Sequence, residues 1–411
     1  MKKLIIFTFA LIFLCATGIA SAADLSMSGS YFVRGTYEKN AEGGGLMNEM
    51  ASTMYYDHEL NLNANWNVDD NTIIYTQFEM RDESWASNNI QDYSYGTNPT
   101  SYDNTKGLDD NIVVEKVYVW HKFANGHQLR VGLMPSGTWG TAFADSATES
   151  YRIRYDIPIN DKTTVLGLLE KPADNGEKSS TSTGFGERDD LDQYYLGLIT
   201  DINGINVAPV FVYAKAGKAA DAFIGIVALN GSFGNLGFES EFKVQHTNYV
   251  DSTKYDDTRV YGAYMNIWHQ SGPVKAGILG AYGSYDDNAN NDAAFGFGAD
   301  FVAGGAQILG DWLEFDFTNK QESLDAGRLA AVYADYSVND KLSIGGYAGY
   351  AKCGAEADAD TDAKWDGAKA WEVSADAAYK ITDNITYDVG AAVAQLKWGD
   401  STTKDPDKAS R

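Results

Sequence analysis

Apolar and polar residues alternate one by one over long stretches of this chain. The clearest stretch covers residues 56–68, where Tyr, His, Leu, Ala, Trp and Val occupy the even positions and Asp, Glu and Asn the odd ones. A period of two puts alternate side chains on opposite faces of a β-strand, whereas a helix would scatter them around its circumference. The stretch therefore predicts a long strand with one apolar and one polar face.

Stretches of the same character recur along the whole chain and predict about 17 strands. Most are longer than the five or six residues of an ordinary strand. No amphipathic helical pattern, linker or change of composition divides the chain, so we expect one continuous all-β domain. The predicted strands cover residues 25–38, 56–68, 72–81, 111–122, 128–134, 150–158, 163–170, 191–200, 205–215, 222–233, 236–247, 259–269, 274–284, 328–338, 342–351, 370–381 and 385–398.

The connections between the predicted strands differ in length. Tight turns rich in Asn, Asp and Gly, residues that tolerate positive φ, lie at residues 69–71, 125–126, 160–162, 203–204, 339–341 and 382–384. Long irregular connections lie near residues 39–52, 82–110, 135–149, 171–190, 285–327 and 352–369. Short and long connections alternate along most of the chain, which is typical of a barrel whose hairpins are tight at one end.

Alternating strands fit two kinds of β-protein. In a soluble barrel or sandwich the apolar face points inward, whereas in a membrane barrel it meets lipid and the polar face lines an aqueous lumen. The strand lengths, the asymmetric connections and the aromatic residues near strand ends favour the membrane barrel. The predicted fold class is all-β: a transmembrane antiparallel β-barrel of about 16–18 strands with short periplasmic turns and long extracellular loops.

One segment resembles a known family. Residues 115–123 (Glu-Lys-Val-Tyr-Val-Trp-His-Lys-Phe) are followed by the turn 124–127 (Ala-Asn-Gly-His) and by residues 128–135 (Gln-Leu-Arg-Val-Gly-Leu-Met-Pro). This segment resembles the strand, periplasmic turn and strand before the constriction loop of general porins. With its size and meander, the whole chain resembles the trimeric Gram-negative outer-membrane porins. The resemblance implies a homotrimer surrounded by outer-membrane lipid and lipopolysaccharide, which passes small hydrophilic solutes and ions.

The sequences at the two ends of the chain bear on its domain organisation. Residues 1–23 combine Lys2 and Lys3, an apolar run and an Ala-Ser-Ala-Ala sequence, which predicts a cleaved signal peptide. Residues 24–411 then form a single barrel domain. The general porins close with a strand that ends in Phe or Trp, whereas residues 402–411 show no such strand. Because closure with both termini in the periplasm requires an even number of strands, we expect that the closing C-terminal strand is missing.

Composition excludes several classes of function. A formal net charge of −25 and a pI near 4.4 leave no basic surface for a nucleic-acid partner. With Cys15 in the signal peptide, Cys353 is the only cysteine of the mature chain, so no intrachain disulfide forms. The five histidines show no metal-ligand spacing, and no nucleophile-elbow, phosphate-loop or zinc-protease motif occurs. We expect no metal, no cofactor and no enzymatic activity.

The candidate site is a pore constriction. In the resembled porins the third long loop folds into the barrel and faces a cluster of wall arginines. Here that loop would be residues 136–150. Strand parity sends four arginines to the polar face, and a fifth lies at the upper end of the third strand. The predicted constriction residues are Arg34, Arg81, Arg130, Asp145, Glu149, Arg152 and Arg154. Opposed charges across a narrow aqueous gap would disfavour apolar solutes.

Two other functions remain open at this stage. A substrate-selective porin for sugars or peptides would bind its solute saturably along an aromatic track. An outer-membrane barrel hydrolase would carry its catalytic groups on the outer wall or rim, where the sequence shows no such cluster. A channel for passive diffusion of small hydrophilic solutes and ions is therefore the leading hypothesis.

Overall fold

The computed structural model describes residues 24–38, 53–84, 112–145, 148–173, 191–217, 219–286, 293–298, 301, 305–307, 309, 327–354 and 367–397. Its strands are β1 (Asp24–Glu38), β2 (Thr53–Asp69), β3 (Thr72–Ser84), β4 (Ile112–Lys122), β5 (Gln128–Ser136), β6 (Thr148–Asn160), β7 (Thr163–Ala173), β8 (Leu191–Ile202), β9 (Ile205–Ala216), β10 (Ala220–Phe233), β11 (Leu236–Tyr249), β12 (Thr258–Ser271), β13 (Val274–Gly283), β14 (Tyr285–Asp286), β15 (Ala293–Ala294), β16 (Arg328–Ser337), β17 (Leu342–Lys352), β18 (Lys369–Thr382) and β19 (Ile385–Lys397).

Seventeen of these strands form one antiparallel sheet, and β14 pairs with β15 in a separate small hairpin. Each of the seventeen overlaps one strand that the alternation predicts, so the predicted all-β fold is confirmed. The pairing runs from each strand to the next along the chain, with β13 pairing directly to β16. No helix in the described part of the chain is long and apolar enough to cross a membrane.

The turns follow the predicted asymmetry. At one end β8 and β9 join through Asn203 and Gly204, whose φ angles of 56° and 85° suit a two-residue hairpin turn. At the other end the connections are longer, and residues 85–111 join β3 to β4. The connection between β9 and β10 is an exception, because only residues 217–219 separate these strands at the long-loop end.

Alternation gives the sheet two different faces. Apolar side chains point outward and stay exposed: Val117, Val119, Val131, Ile153, Leu169, Leu196, Phe211, Val227, Phe242, Met265, Ile278 and Val332. A continuous apolar outer surface of this kind is covered by lipid in a membrane barrel. The opposite face turns inward, and it is polar on some strands and buried and apolar on others.

Two chain segments lie inside the curve of the sheet. The first inner segment, residues 137–145, follows β5, and the second inner segment comprises the described residues between 293 and 309. The largest buried apolar cluster forms where both meet the inward face of β12, β13 and β16–β18. Its members are Phe143, Val260, Tyr264, Leu279, Ala281, Phe295, Phe297, Phe301, Ala306, Leu309, Leu329, Ala331, Tyr333, Tyr347, Ala351, Cys353, Ala368 and Ala370.

The directions of the first and last strands of the sheet determine how the barrel can close. The registers pair β1 with β2 and β19 with β18. Because antiparallel strands alternate in direction, the first and the seventeenth strand of the meander run the same way, and an antiparallel closure needs one more strand between them. Residues 1–23 and 398–411 lie outside the described residues. The signal peptide and the missing closing strand therefore stay predictions.

Candidate constriction of the barrel

Three predicted arginines lie together on the inward face of two neighbouring strands. Arg130 of β5 is the register partner of Arg154 in β6, and Arg152 faces Gly132 one step further along. The outward positions between them carry Val131, Ile153 and other apolar residues. All three arginines therefore share the inward face, and their role in a constriction stays a prediction. Like charges opposite each other repel, so this arrangement requires acidic partners.

The acidic partners are two buried carboxylates that the sequence analysis missed. Asp156 contacts Arg154 at 2.8 Å (Nη2 to Oδ1) and Arg130 at 3.9 Å (Nη2 to Oδ2). Glu170 of β7 contacts Arg152 at 3.1 Å (Nε to Oε2). Asp156 alternates with Arg152 and Arg154 on the same face of β6, so strand parity alone predicts that its side chain points inward. Glu170 shares its face with the buried apolar residues Leu166 and Leu168, which hid it.

The three arginines differ in their access to the lumen. The side chain of Arg152 is 10% exposed, whereas those of Arg130 and Arg154 are 31% and 23% exposed. Arg152 also lies 5.6 Å from the ring centre of Tyr195 and donates to the carbonyl of Pro135. Arg152 is thus packed into the wall, and Arg130 and Arg154 are the two that present charge to the lumen.

The root of the first inner segment is tied to this cluster. The hydroxyl of Ser136 donates to Glu170, the same carboxylate that pairs with Arg152. Arg152 bonds the Pro135 carbonyl next to it. Ser136 is the last residue of β5, and both Ser136 and Glu170 are buried. The Arg152–Glu170 pair therefore fixes the place where the chain leaves the wall and turns into the barrel.

The rest of the first inner segment is anchored further round the wall. The indole N–H of Trp139 donates to the Ala208 carbonyl of β9 at 2.9 Å. Glu241 of β11 accepts from the backbone N–H of Thr141 at 2.9 Å and from its hydroxyl at 2.8 Å. The aromatic ring of Phe143 is fully buried in the apolar cluster. These contacts hold the segment against β9–β12, well away from its root at β5.

Three other predicted constriction residues, Asp145, Glu149 and Arg34, do not join the arginine cluster. Asp145 is buried and accepts the backbone N–H of Trp139 at 2.9 and 3.0 Å, so it stabilises its own segment. Glu149 has the strand parity of Tyr151, which points outward. Arg34 pairs with Asp57 across β1 and β2. The backbone of Arg81 lies in β3, and its side chain lies outside the described residues.

The second inner segment continues the first. The backbone N–H of Gly298 donates to the Phe143 carbonyl at 3.0 Å, and a side chain at Gly298 would collide with the backbone of Asp145. Glu372 of β18, which is 1% exposed, accepts the backbone N–H groups of Gln307 at 2.7 Å and of Leu309. The two segments together form an inner belt from β5 to β18. Sequence analysis identified residues 285–327 only as a long connection.

The inward face opposite this apolar cluster forms what we call the polar wall: Asn61, Gln77, Lys116, Gln128, Arg130 and Arg154. Each of these side chains is half-buried. Gln77 Nε2 donates to Asn61 Oδ1 at 3.1 Å, and Lys116 Nζ donates to Gln77 Oε1 at 2.5 Å. Arg130 Nη2 donates to Gln128 Oε1 at 3.3 Å. The polar wall thus presents donors and positive charge along β2–β6, the arrangement expected beside water.

The chain is similar to known proteins in its structure. The sequence matches no protein-family model, and no curated protein matches it. OccK2 (OpdF) of Pseudomonas aeruginosa, solved in complex with glucuronate, has a TM-score of 0.54 at 10% identity and covers 92% of this chain and 94% of its own. OccK9 (OpdG) of the same organism has a TM-score of 0.56 at 13% identity, with coverage of 92% and 95%. OccAB2 of Acinetobacter baumannii has a TM-score of 0.54 at 11% identity, with coverage of 92% and 93%.

At this level of identity the likeness shows the fold. The fold is that of bacterial outer-membrane β-barrel porins, which agrees with the predicted location in the outer membrane. The resemblance to the general trimeric porins is not confirmed, because the structural neighbours are the channels OccK2, OccK9 and OccAB2 and not general porins. The homotrimer therefore stays a prediction.

Proposed function

We propose that the protein is an outer-membrane channel through which small hydrophilic solutes and ions diffuse passively. One observation carries this proposal: a half-exposed polar wall faces a lumen that the inner belt narrows from the other side. Water and hydrated solutes follow the polar wall, because an unpaired polar solute would lose hydrogen bonds against the apolar cluster. Lys116, Arg130 and Arg154 are the positive charges of the polar wall along such a path.

Solute flux into vesicles tests the proposal. Purified protein in liposomes should let small sugars enter and cause swelling, with a rate that falls steeply as sugar size increases, because the belt limits the aperture. Protein-free liposomes and liposomes with heat-denatured protein are the controls. Equal swelling in all three preparations would reject the channel.

A selective channel for small carboxylates is the second candidate. The two lumen-exposed arginines offer charge-assisted hydrogen bonds to a carboxylate, and Tyr195 lies beside Arg152 on the same wall. One neighbour with the same fold, OccK2, was solved in complex with a carboxylate, glucuronate. Such a channel would show saturable block of its ion current by glucuronate, whereas a passive channel for sugars would show no saturation.

The proposal gives the protein no enzymatic activity. The alternative, an outer-membrane barrel hydrolase, would release fatty acid or peptide fragments in detergent. Assays of phospholipid and casein hydrolysis by the purified protein should show only the background of a protein-free sample. Activity that co-purifies with the folded barrel would instead support the hydrolase.

The proposal includes assembly of the channel as a homotrimer. The outward face of β1 carries apolar side chains that are about half exposed or more, including Leu25, Met27, Tyr31 and Val33. A trimer that associates through this face would resist SDS and dissociate on boiling. Light scattering in mild detergent gives the mass directly, and a single species of one-chain mass would reject the trimer.

The proposed domain organisation is a cleaved signal peptide, residues 1–23, followed by a single barrel domain, residues 24–411. Mass spectrometry of the protein from the outer membrane of an expressing bacterium tests the cleavage. A mature N-terminus at Asp24 is expected, and retention of Lys2 and Lys3 would contradict it.

A further inference from the structure

The inward face of β2 carries a row of asparagines beside the polar wall. Every second residue of the strand belongs to this row: Asn61, Asn63, Asn65 and Asn67. Asn61 is engaged, since it accepts from Gln77. Within the residues that the structure describes, no protein group hydrogen-bonds the side-chain amides of Asn63 and Asn65. These two amides therefore offer donors and acceptors to the lumen.

Two stacked tyrosine rings stand beside this row. Tyr75 of β3 and Tyr118 of β4 are register partners, and their ring centres lie 5.0 Å apart with planes 16° from parallel. Neighbouring strands of a sheet are about 4.8 Å apart, so the two rings face each other across their strands. Each ring covers one face of the other, and the second face of Tyr75 is directed toward β2.

The amides and the tyrosines meet at one place. In β2 the register partner of Tyr75 is Asn65, and Asn63 lies one inward position further along. Because asparagine is shorter than tyrosine, the outer part of the Tyr75 ring rises above Asn65. All three side chains are half-buried and keep part of their surface open. We call Tyr75, Asn63 and Asn65 the lumen step, with an aromatic side and an amide floor.

The lumen step itself is uncharged. Two cations of the polar wall lie on either side of Tyr118 along β4: Lys116 donates to Gln77 at 2.5 Å, and Arg130 is the register partner of Trp120. Both lie outside the step, so its own surface consists of amides and a phenol ring. Such a surface suits a solute that combines an apolar ring face with many hydroxyl groups and carries no charge.

We propose that the lumen step is a binding subsite for neutral sugars that contain a pyranose ring. One face of such a ring exposes C–H groups, which stack on the negative face of an aromatic ring, here Tyr75. Sugar hydroxyls both donate and accept hydrogen bonds, as carboxamides do, here Asn63 and Asn65. The inference rests on the proposed function, because a lumen subsite acts on transport only in a conducting barrel. It replaces unselective passage of sugars by passage that saturates.

Binding and current are measured separately on the full-length protein. Isothermal titration calorimetry in a detergent without a sugar head group gives the affinities for three probes: maltotriose, the open-chain polyol mannitol, and glucuronate. Planar-bilayer recording gives the block of the ion current by maltotriose. Maltotriose should bind and block saturably, whereas mannitol, which has no pyranose ring, should do neither.

The two measurements separate the subsite from the channel. Current steps without saturable binding of maltotriose would overturn the subsite and leave the proposed channel intact. Saturable binding of maltotriose to a protein that yields no current steps would support the subsite and contradict the channel.

Substitutions test the named residues. Tyr75→Leu removes the aromatic face and keeps an apolar side chain against Tyr118, so it should weaken maltotriose binding about tenfold, the upper range of an aromatic stacking contact. Tyr75→Phe keeps the ring and should keep the affinity. Asn65→Ala should weaken binding about fivefold, the value of one neutral hydrogen bond. The strand signal in circular dichroism verifies that each variant is folded.

A second tyrosine pair supplies the matched control. Tyr194 of β8 and Tyr213 of β9 are also register partners with stacked rings, 6.1 Å between centres, but they lie on the outward face. Tyr194→Leu should bind maltotriose as the unmodified protein does. Equal affinities of Tyr75→Leu and Tyr194→Leu would overturn the proposal. Glucuronate binding that is tighter than that of maltotriose and unchanged in Tyr75→Leu would also overturn it, because that result assigns the wall to carboxylates.

Discussion

At the scale of single residues, Arg152 and Arg154 are two positions apart on one strand face and have different environments. Arg152 is buried between Glu170, the Tyr195 ring and the Pro135 carbonyl, whereas Arg154 pairs with Asp156 and keeps about a quarter of its surface open. The first supports the root of the inner segment, and the second presents charge to the lumen. Their replacements should therefore have different consequences.

Arg152→Gln should destabilise the barrel, because it leaves the buried Glu170 carboxylate without its ion-pair partner. Breaking a buried pair in this way costs about 3–5 kcal/mol. Arg154→Gln should cost about 1 kcal/mol or less, since its side chain is partly solvated. The urea concentration at half-unfolding in detergent measures both, and equal midpoints for the two variants would contradict the assigned roles.

Strand parity predicted some of the side-chain directions at the candidate site. It placed Arg130, Arg152 and Arg154 inward, because neighbours two positions apart share a strand face. The same rule places Glu149 with Tyr151 on the outer face. The sequence analysis instead counted Glu149 as part of the loop of residues 136–150 and therefore expected it at the constriction. Burial of Glu170 depends on contacts between three strands and a loop root, and no local pattern contains that information.

At the scale of elements, the inner belt depends on a few anchors. Phe143→Ala should remove the ring that packs the first inner segment against Tyr264 of β12 and against the second inner segment, at a cost of about 3–5 kcal/mol. With its anchor gone, the first inner segment should move away from the wall. Single-channel conductance should then rise and its noise increase. Phe233→Ala, which removes an exposed ring from β10, should leave conductance unchanged, and equal effects of both variants would contradict the anchor.

Glu372→Gln tests the second inner segment separately. The amide offers one acceptor oxygen where the carboxylate offers two, so one backbone N–H of Gln307 or Leu309 loses its partner. An unpaired buried donor costs about 1–3 kcal/mol. Hydrogen exchange at residues 305–309 should accelerate relative to the unmodified protein. Asp388→Asn on the exposed strand β19 is the control, and unchanged exchange in Glu372→Gln would contradict the anchor.

The strands were predictable because each alternates over its own length, a local signal. The first inner segment was expected only through the family resemblance. The second was missed because Phe295, Phe297 and Phe301 lie in a Gly-rich stretch without strand or helix periodicity, and their burial depends on Phe143, more than a hundred residues away in the chain.

At the scale of the whole molecule, two sets of charges compete. The formal net charge of −25 attracts cations toward the pore mouths, whereas Arg130 and Arg154 repel them at the polar wall. At about 0.01 M salt the Debye length is about 30 Å, and at 1 M it is about 3 Å. We expect weak cation preference at low salt that fades as salt rises.

Replacing Arg130 and Arg154 together by Gln should raise cation preference and conductance, because it removes two of the three positive charges of the polar wall. Reversal potentials across a KCl gradient measure the preference. Lys162→Gln is the control, since Lys162 lies in an exposed turn and pairs with Asp201. A double variant with the reversal potential of the unmodified protein would show that these arginines lie away from the ion path.

Planar-bilayer recording of the purified protein tests the central claim, that the polar wall and the inner belt enclose a water-filled path. The account predicts discrete, uniform current steps in KCl, with larger steps after Phe143→Ala and a shift toward cations after replacement of Arg130 and Arg154. A folded protein, verified by its strand signal in circular dichroism, that inserts into the bilayer and yields no current steps would contradict it.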